Sequence, residues 1–230
     1  MTTRHLAIAA ILTLAAAGSA AAQTPASTAK PGPKRAKEFS VGAVLAGPSS
    51  VGSAAAELND GSGSPSVTLF RVENRLALGY GVEINIAVEL RRAFWVEVSG
   101  GWTRSSVDSR ITGDFEDADD ETPALPMSRF LVEGAVLRYF RERGQTAWFI
   151  RLNGGWMRET AGGNTLTGDG LIAGGGLGLR HWWRTNGKGS VKRVGLRVEG
   201  RGVVRSGGIS LGEKGLRFGP AGAGHIVFGF

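Results

Sequence analysis

The chain has 230 residues with no cysteine, 37 glycines and a formal net charge of +7. The lack of cysteine excludes disulfide-stapled scaffolds, thiol catalysis, zinc–thiolate sites and lipid attachment at an N-terminal cysteine. Hydrophobic residues form 42% of the chain, which disfavours disorder, and the glycines follow no collagen period.

Residues 1–22 have the features of a cleaved secretory signal peptide. Arg4 provides a basic start, an apolar run covers residues 6–17, and a stretch of small residues ends at Ala22. The apolar run is too short to cross a bilayer as a helix. The sequence therefore predicts an exported protein.

Residues 23–37 are rich in proline, alanine and lysine and are typical of a flexible linker. The basic residues of the rest of the chain are dispersed, and an exported protein has little access to nucleic acid. We therefore expect no nucleic-acid partner in spite of the positive charge. The remaining residues, 38–230, are predicted to form a single domain.

The clearest element of that domain is the segment 76–90, in which large apolar residues occupy every even position. They are Leu76, Leu78, Tyr80, Val82, Ile84, Ile86, Val88 and Leu90. This alternation with period two indicates a strand with one apolar face. Its length exceeds the ~9–11 residues that a tilted strand needs to cross a bilayer.

Further alternating segments begin near residues 38, 94, 128, 148, 169, 194 and 216. The connections between segments alternate in length: short ones lie at 91–93, 141–145 and 185–191, and long ones at 48–74, 113–127, 161–168 and 208–215. This asymmetry predicts an all-β fold, an antiparallel up-and-down eight-stranded transmembrane β-barrel with both termini at the short-turn side.

Two details of this pattern stay open. Residues 66–72, in the first long connection, either extend the second strand beyond the membrane or form a separate element. Glu133 and Arg138 have opposite parity within the strand at 128–140, which indicates a β-bulge or a shift of phase there.

Aromatic residues recur at the ends of the predicted strands, which predicts two girdles at the membrane interfaces. The short-turn girdle holds Phe39, Phe94, Phe140, Trp148, Trp183, Phe228 and Phe230, with Trp95, Tyr139, Phe149 and Trp182 beside them. The thinner long-loop girdle holds Trp102, Trp156 and Tyr80. The distance from Phe94 to Trp102 corresponds to about 20 Å along the membrane normal, close to the ~25 Å apolar band of such barrels.

The opposite face of the predicted strands carries charged residues that a barrel turns toward its interior. They are Glu83, Glu89, Glu97, Glu133, Glu199, Arg151, Arg180, Arg197, Arg201 and Arg217. Buried charges must be paired. The equal numbers of acids and bases therefore predict a compensated ion-pair network whose first role is structural, with a lumenal charge relay or gate as the functional alternative.

These features together resemble the bacterial outer-membrane eight-stranded β-barrels, such as the OmpA transmembrane domain, OmpX and the opacity-type proteins. The resemblance covers residues 38–230 and is architectural. It implies a monomer in the outer-membrane bilayer with both mature termini in the periplasm. It also implies that the barrel-insertion machinery recognises Phe228 and Phe230 as an insertion signal. A glycine common five places before the end of such chains is replaced here by His225.

Enzymatic chemistry has little support in the sequence. A lipid-modifying barrel enzyme needs a nucleophile with a histidine in reach. After cleavage only His181 and His225 remain; His181 has no serine two residues later, and His225 is predicted to join the interior polar network. The acidic connection 113–127 matches no calcium-loop template, so a solvated loop is expected there. We therefore expect no enzyme activity, no cofactor and no metal site.

The function that the sequence favours is a structural role in membrane integrity, or surface contact through the long loops. A narrow passive channel for ions or small solutes is the first alternative. A soluble periplasmic β-barrel or lipocalin-like binder is the second.

Overall fold

The computed structural model describes residues 35–58, 67–112, 124–143, 145–184, 190–209 and 215–230. The predicted signal peptide, most of the predicted linker and the acidic segment 113–123 lie outside the described residues. No helix long and apolar enough to cross a membrane occurs within these described ranges. The described chain is built from β-strands.

The structure contains ten strands within the described residues. They are β1 (Lys37–Ala46), β2 (Ser49–Leu58), β3 (Val67–Leu76), β4 (Gly79–Arg91), β5 (Phe94–Thr112), β6 (Leu125–Arg143), β7 (Thr146–Ala161), β8 (Leu166–Arg184), β9 (Arg193–Gly207) and β10 (Arg217–Gly229). Because β1 begins at Lys37 and the Glu89 amide donates to the Ala36 carbonyl at 2.9 Å, the end of the predicted linker already belongs to the sheet.

Eight of the ten strands form a closed antiparallel ring, in the order β1-β4-β5-β6-β7-β8-β9-β10. The ring closes where β1 pairs with β10, from Glu38 opposite Gly229 to Ala46 opposite Ala221. The predicted eight-stranded up-and-down barrel is therefore confirmed by the pairing of the chain itself. We call the end that carries the connections at 92–93, 144–145 and 185–192 the turn end, and the opposite end the loop end.

The remaining strands, β2 and β3, answer the question that the sequence left open about residues 66–72. They continue β1 and β4 beyond short breaks and pair with each other as a hairpin. β3 then pairs with the far part of β5, from Arg71 opposite Thr112 to Leu76 opposite Val107. The second strand is therefore extended past the barrel rim, and most of the predicted loop 48–74 is a hairpin.

The alternation of the sequence becomes the inside and the outside of the ring. On β4, for example, Glu83 and Asn85 are buried, whereas Ile84 and Ile86 between them are 48% and 59% exposed. The register of β6 with both neighbours runs without a shift from Met127 to Arg138. The predicted bulge near Glu133 and Arg138 is therefore wrong: Glu133 points inward and Arg138 points outward.

The outward aromatic residues lie toward the ends of the strands. Phe39 stacks on Phe228 across the closing seam, with ring centroids 6.2 Å apart. Arg138 places its guanidinium carbon 5.4 Å from the Phe94 ring and 5.0 Å from the Phe140 ring, so its charge lies within the turn-end girdle. The other predicted girdle residues with exposed outward side chains are Tyr80, Trp148, Trp156, Trp183 and Phe230, while Trp102 is half-buried.

Four aromatic residues that the sequence assigned to the turn-end girdle point inward instead. They are Trp95, Tyr139, Phe149 and Trp182, and all are buried. The physical reason is parity, because each directly follows or precedes an outward girdle aromatic and successive side chains of a strand face opposite sides. These side chains fill the turn end of the barrel rather than contact lipid.

Candidate functional site

The centre of the barrel holds a buried ion-pair network of four glutamates and three arginines, which we call the central network. Its members are Glu83, Glu97, Glu133, Glu199, Arg151, Arg197 and Arg201. They are contributed by β4, β5, β6, β7 and β9, so the network crosses the ring and joins strands far apart in sequence. The local cause is the period-two pattern, which aims these side chains at one axis.

Arg151 is the hub of the central network and is completely buried. Its Nη1 lies 2.8 Å from Glu97 Oε1 and 3.2 Å from Glu199 Oε1. Its Nη2 lies 3.3 Å from Glu133 Oε2 and donates to Ser99 Oγ at 2.9 Å. One guanidinium on β7 thus ties three other strands together.

The two arginines of β9 complete the network from the opposite wall. Arg197 donates through Nη2 to Glu97 Oε1 at 3.1 Å and to Glu199 Oε2 at 2.9 Å. Arg201 donates two hydrogen bonds to Glu83, from Nη1 to Oε2 at 2.9 Å and from Nη2 to Oε1 at 2.7 Å. Its Nε donates to Glu199 Oε1 at 2.7 Å. Paired fork-to-carboxylate bonds of this kind are the strongest hydrogen bonds available to arginine.

His225 is buried against this network, and its Nε2 lies 3.4 Å from Glu83 Oε1. Single ligand atoms of Glu83, Glu199 and His225 lie within 4.8 Å of one another, a spacing compatible with a metal ion. Arg201 donates hydrogen bonds to both of these carboxylates. Its guanidinium therefore already supplies the positive charge that a metal ion would supply there.

A mainly apolar layer closes the barrel on the turn-end side of the central network. Its core contains Trp95, Leu137, Tyr139 and Phe149, all buried together with small alanines. Arg180 lies with its guanidinium carbon 3.9 Å from the Tyr139 ring centroid and forms an ion pair with Glu38 of β1. The cation is thus satisfied by one carboxylate and by aromatic faces.

A second layer closes the barrel on the loop-end side. Arg129 and Arg205 both contact Glu159, at 2.7 Å and 3.1 Å, and all three side chains are buried. An apolar cluster packs at the same end, formed by Val51, Leu76, Val107, Met127, Ala161 and Ile209. The β2–β3 hairpin contributes to this layer, so the extension seen in the fold helps to cap the interior.

Eight of the ten predicted network residues lie buried inside the barrel, and two do not. Glu89 is half-buried near the turn end of β4, and no ion pair is described for it in the described part of the chain. Arg217 is half-buried at the loop-end rim and donates to the Ile209 carbonyl at 2.9 Å. Both have inward parity, but each lies at the end of its strand, where the lumen meets the rim.

Sequence reasoning missed four further interior charges: Glu38, Arg129, Glu159 and Arg205. Three of them share the parity of a recognised interior residue on the same strand: Arg129 that of Glu133, Glu159 that of Arg151, and Arg205 that of Arg201. Glu38 has the parity opposite to the outward Phe39 on β1. Extending every alternating segment to its full length would have found them. The other histidine, His181, lies at the turn end within 2.8 Å of Thr146 Oγ1.

The barrel interior tolerates no added volume at one glycine of the turn-end layer. A Cβ at Gly178 would lie 2.2 Å from Cζ of the buried Phe149 ring. We expect Gly178→Ala to lower the free energy of unfolding by about 1–3 kcal/mol through overpacking. Gly134→Ala, where no atom lies within 4 Å, is the matched control. Equal stabilities of the two variants in urea titrations would contradict this packing.

Comparison of folds finds solved structures that are similar to this chain. Neisserial surface protein A shares 14% identity with a TM-score of 0.47, and the match covers 84% of this chain and 97% of that chain. Ail of Yersinia pestis shares 12% identity with a TM-score of 0.38, over 85% and 98% of the two chains. The outer membrane protease OmpT of Escherichia coli shares 10% identity with a TM-score of 0.39, over 89% and 100%.

Sequence comparisons add nothing to these likenesses. No protein-family profile matches the chain, and a search of curated proteins finds no significant match. The fold rests on the strand pairing of the chain itself, and no activity is transferred from the three structures.

Proposed function

We propose that the chain is an outer-membrane β-barrel with a closed interior, serving membrane integrity or surface contact through its loop end. The observation that carries the proposal is the division of the ring into a charged, sealed inside and an apolar outside. The signal-peptide pattern at residues 1–22 supports export.

The outward face supports a location in a bilayer. Large apolar side chains are exposed around the ring, including Ile84 on β4, Leu152 on β7, Leu177 on β8 and Val198 on β9. A soluble protein rarely exposes so extensive an apolar surface. A soluble lipocalin-like barrel has the opposite polarity, with an apolar cavity inside and polar residues in water, so this alternative is disfavoured.

The inward face disfavours a passive channel. The central network joins opposite walls, Phe149 and Leu137 are fully buried on its turn-end side, and Met127 and Val107 are buried on its loop-end side. An eight-stranded barrel has an interior just wide enough to be filled by side chains. The residues that a channel would need as a polar lining are engaged with one another.

The contacts at the end of β10 support a role for this strand in insertion of the barrel into the membrane. Phe230 donates its amide to the Lys37 carbonyl at 3.0 Å, and Phe228 stacks on Phe39 at the same seam. We propose that the insertion machinery reads Phe228 and Phe230 before β1 closes the ring, and that the turn end faces the periplasm.

Planar-bilayer recording tests the closed interior. The refolded chain is expected to give no unitary conductance steps under conditions in which a general porin, inserted by the same protocol, gives regular ones. Reproducible steps of one size, altered by Arg197→Glu in a variant that still folds, would contradict the closed barrel and favour the channel.

A further inference from the structure

Within the described part of the chain, the loop-end layer holds three arginines and one buried glutamate. Arg129 and Arg205 pair with Glu159, and Arg217 lies beside them on β10; we call these four residues the loop-end cluster. Arg205 and Arg217 stand directly opposite each other in the pairing of β9 and β10. Like charges at directly opposed positions destabilise a sheet, so an anion that contacts both guanidiniums would stabilise this pair.

Glu159 is bonded to two of the three arginines and forms no described bond to Arg217. Its Oε1 accepts Nε and Nη2 of Arg129 at 2.9 and 2.7 Å and Nη1 of Arg205 at 3.1 Å. Its Oε2 accepts the Ile209 amide at 3.0 Å. Among the described residues, no ion pair joins Arg217 to any carboxylate, and its described bond is to the Ile209 carbonyl.

Among the described residues, the central network supplies no second carboxylate to the loop-end cluster. It has one carboxylate more than it has guanidiniums, but those groups are bonded among themselves. Four strand residues separate Arg205 from Arg201, the nearest network residue on β9, or about 13 Å along the strand. A hydrogen bond cannot span that distance, so among the described residues the three arginines of the loop-end cluster face one carboxylate.

The loop-end cluster lies beside a break in the barrel wall. The β1–β10 pairing ends at Ala46 opposite Ala221, and the last hydrogen bond of the seam runs from the Gly47 amide to the Pro220 carbonyl at 2.7 Å. Pro48 has no amide hydrogen to continue the ladder. Beyond it β2 pairs with β3, and no pairing of β2 with β10 is present among the described residues.

Arg205 reaches this break directly. Its Nη2 donates to Oγ of Ser49, the first residue of β2 after the break. Arg217 opens β10 on the other side of the same break. Arg205 and Arg217 therefore lie on the two sides of the point where the pairing of β1 with β10 ends.

We propose that the loop-end cluster binds a phosphate-class oxyanion, held by the forks of Arg205 and Arg217 with Arg129 behind them. The tetrahedral oxyanion suits guanidinium forks and adds negative charge beside the three arginines without displacing Glu159. The group is supplied either as free phosphate from the loop-end solution or as the headgroup of an anionic lipid that enters at the Pro48–Pro220 break.

The test uses the mature chain in phosphatidylcholine nanodiscs, with the arginine Nε–H resonances followed by NMR as inorganic phosphate is added. Saturable shifts are expected for Arg205 and Arg217. Arg217→Gln is expected to weaken phosphate binding about tenfold or more, since it removes a charge-assisted contact. Arg158→Gln is the matched control, because Arg158 lies next to Glu159 on β7 but points outward to Asp169.

A second variant separates binding from folding. Glu159→Gln removes the competing carboxylate, so it is expected to tighten phosphate binding even where it lowers stability, whereas a purely structural cluster would show no tightening. The absence of saturable shifts with millimolar phosphate, or equal weakening in Arg217→Gln and Arg158→Gln, would overturn the proposal.

A third experiment identifies the source of the oxyanion. The same phosphate titration is repeated in nanodiscs in which phosphatidylglycerol replaces part of the phosphatidylcholine. If the lipid headgroup is the ligand, it competes with inorganic phosphate and shifts the same two resonances. If free phosphate is the ligand, phosphatidylglycerol leaves the phosphate titration unchanged. Both results support the oxyanion site, and they assign it to the seam or to the loop-end solution respectively.

Discussion

Replacing Arg151 with methionine is expected to lower the free energy of unfolding by about 3–5 kcal/mol. The substitution leaves Glu97 and Glu133 without the guanidinium that they share, in a site that water does not reach. Arg151 is fully buried and lies within 3.3 Å of carboxylate oxygens of Glu97, Glu199 and Glu133. The measurement is equilibrium urea unfolding of the chain refolded in phospholipid vesicles, followed by tryptophan fluorescence.

Two further variants make this expectation specific to the buried network. Arg158→Met removes an arginine from the same strand, but its ion pair with Asp169 is half-exposed on the outer surface, so the expected loss is below about 1 kcal/mol. Arg151→Lys keeps the charge and loses the fork, and is expected to fall between the other two. A loss for Arg151→Met no larger than that for Arg158→Met would show that the network contributes nothing to stability.

Introducing arginine at Ile84 is expected to lower the free energy of unfolding by about 2–4 kcal/mol in the same vesicles, because in the proposed membrane-spanning orientation this residue faces lipid near the bilayer midplane. Ile84 lies on β4 between Tyr80, in the loop-end girdle, and Leu90, near the turn end, and its side chain is 48% exposed on the outer face. The control is Tyr80→Arg, which places the same charge at the interface and is expected to cost about 0–1 kcal/mol.

The expected difference in unfolding free energy between the Ile84 and Tyr80 variants arises from the bilayer, because both side chains lie on the outer face of the barrel. In a soluble protein both side chains would face water, and arginine at either position would have little effect on stability. Equal costs at Ile84 and Tyr80 would therefore contradict a membrane-spanning ring, even if both variants fold.

The ring and its two faces were predictable from the sequence, because apolar and polar residues alternate with period two. Successive side chains of a strand face opposite sides, so odd and even positions point to the inside and the outside of the ring. Ile84 and Glu83 show this most clearly. The β2–β3 hairpin was not predictable in the same way. Its strands are weakly apolar, and β3 is a strand here because it continues β4 and pairs with the far half of β5.

The layered interior was only partly predictable. Opposite charges at inward positions predicted a compensated ion-pair network. The individual partners were not predictable, because the alternation does not specify the stagger between strands. Arg201 and Glu83, for example, are 118 residues apart in sequence. The inward Trp95 and Phe149 were misassigned because adjacent aromatics at a strand end look like one girdle. Because neighbouring residues of a strand face opposite sides, Phe94 and Trp148 point outward, whereas Trp95 and Phe149 are buried inside the barrel.

Expression of the full chain in a Gram-negative host, with membrane fractionation and gel mobility before and after heating, tests the outer-membrane barrel most directly. The predicted result is recovery in the outer-membrane fraction, with the unheated protein migrating differently from the heated protein because the closed ring resists detergent. Recovery in the soluble periplasmic fraction, with one mobility before and after heating, would contradict it.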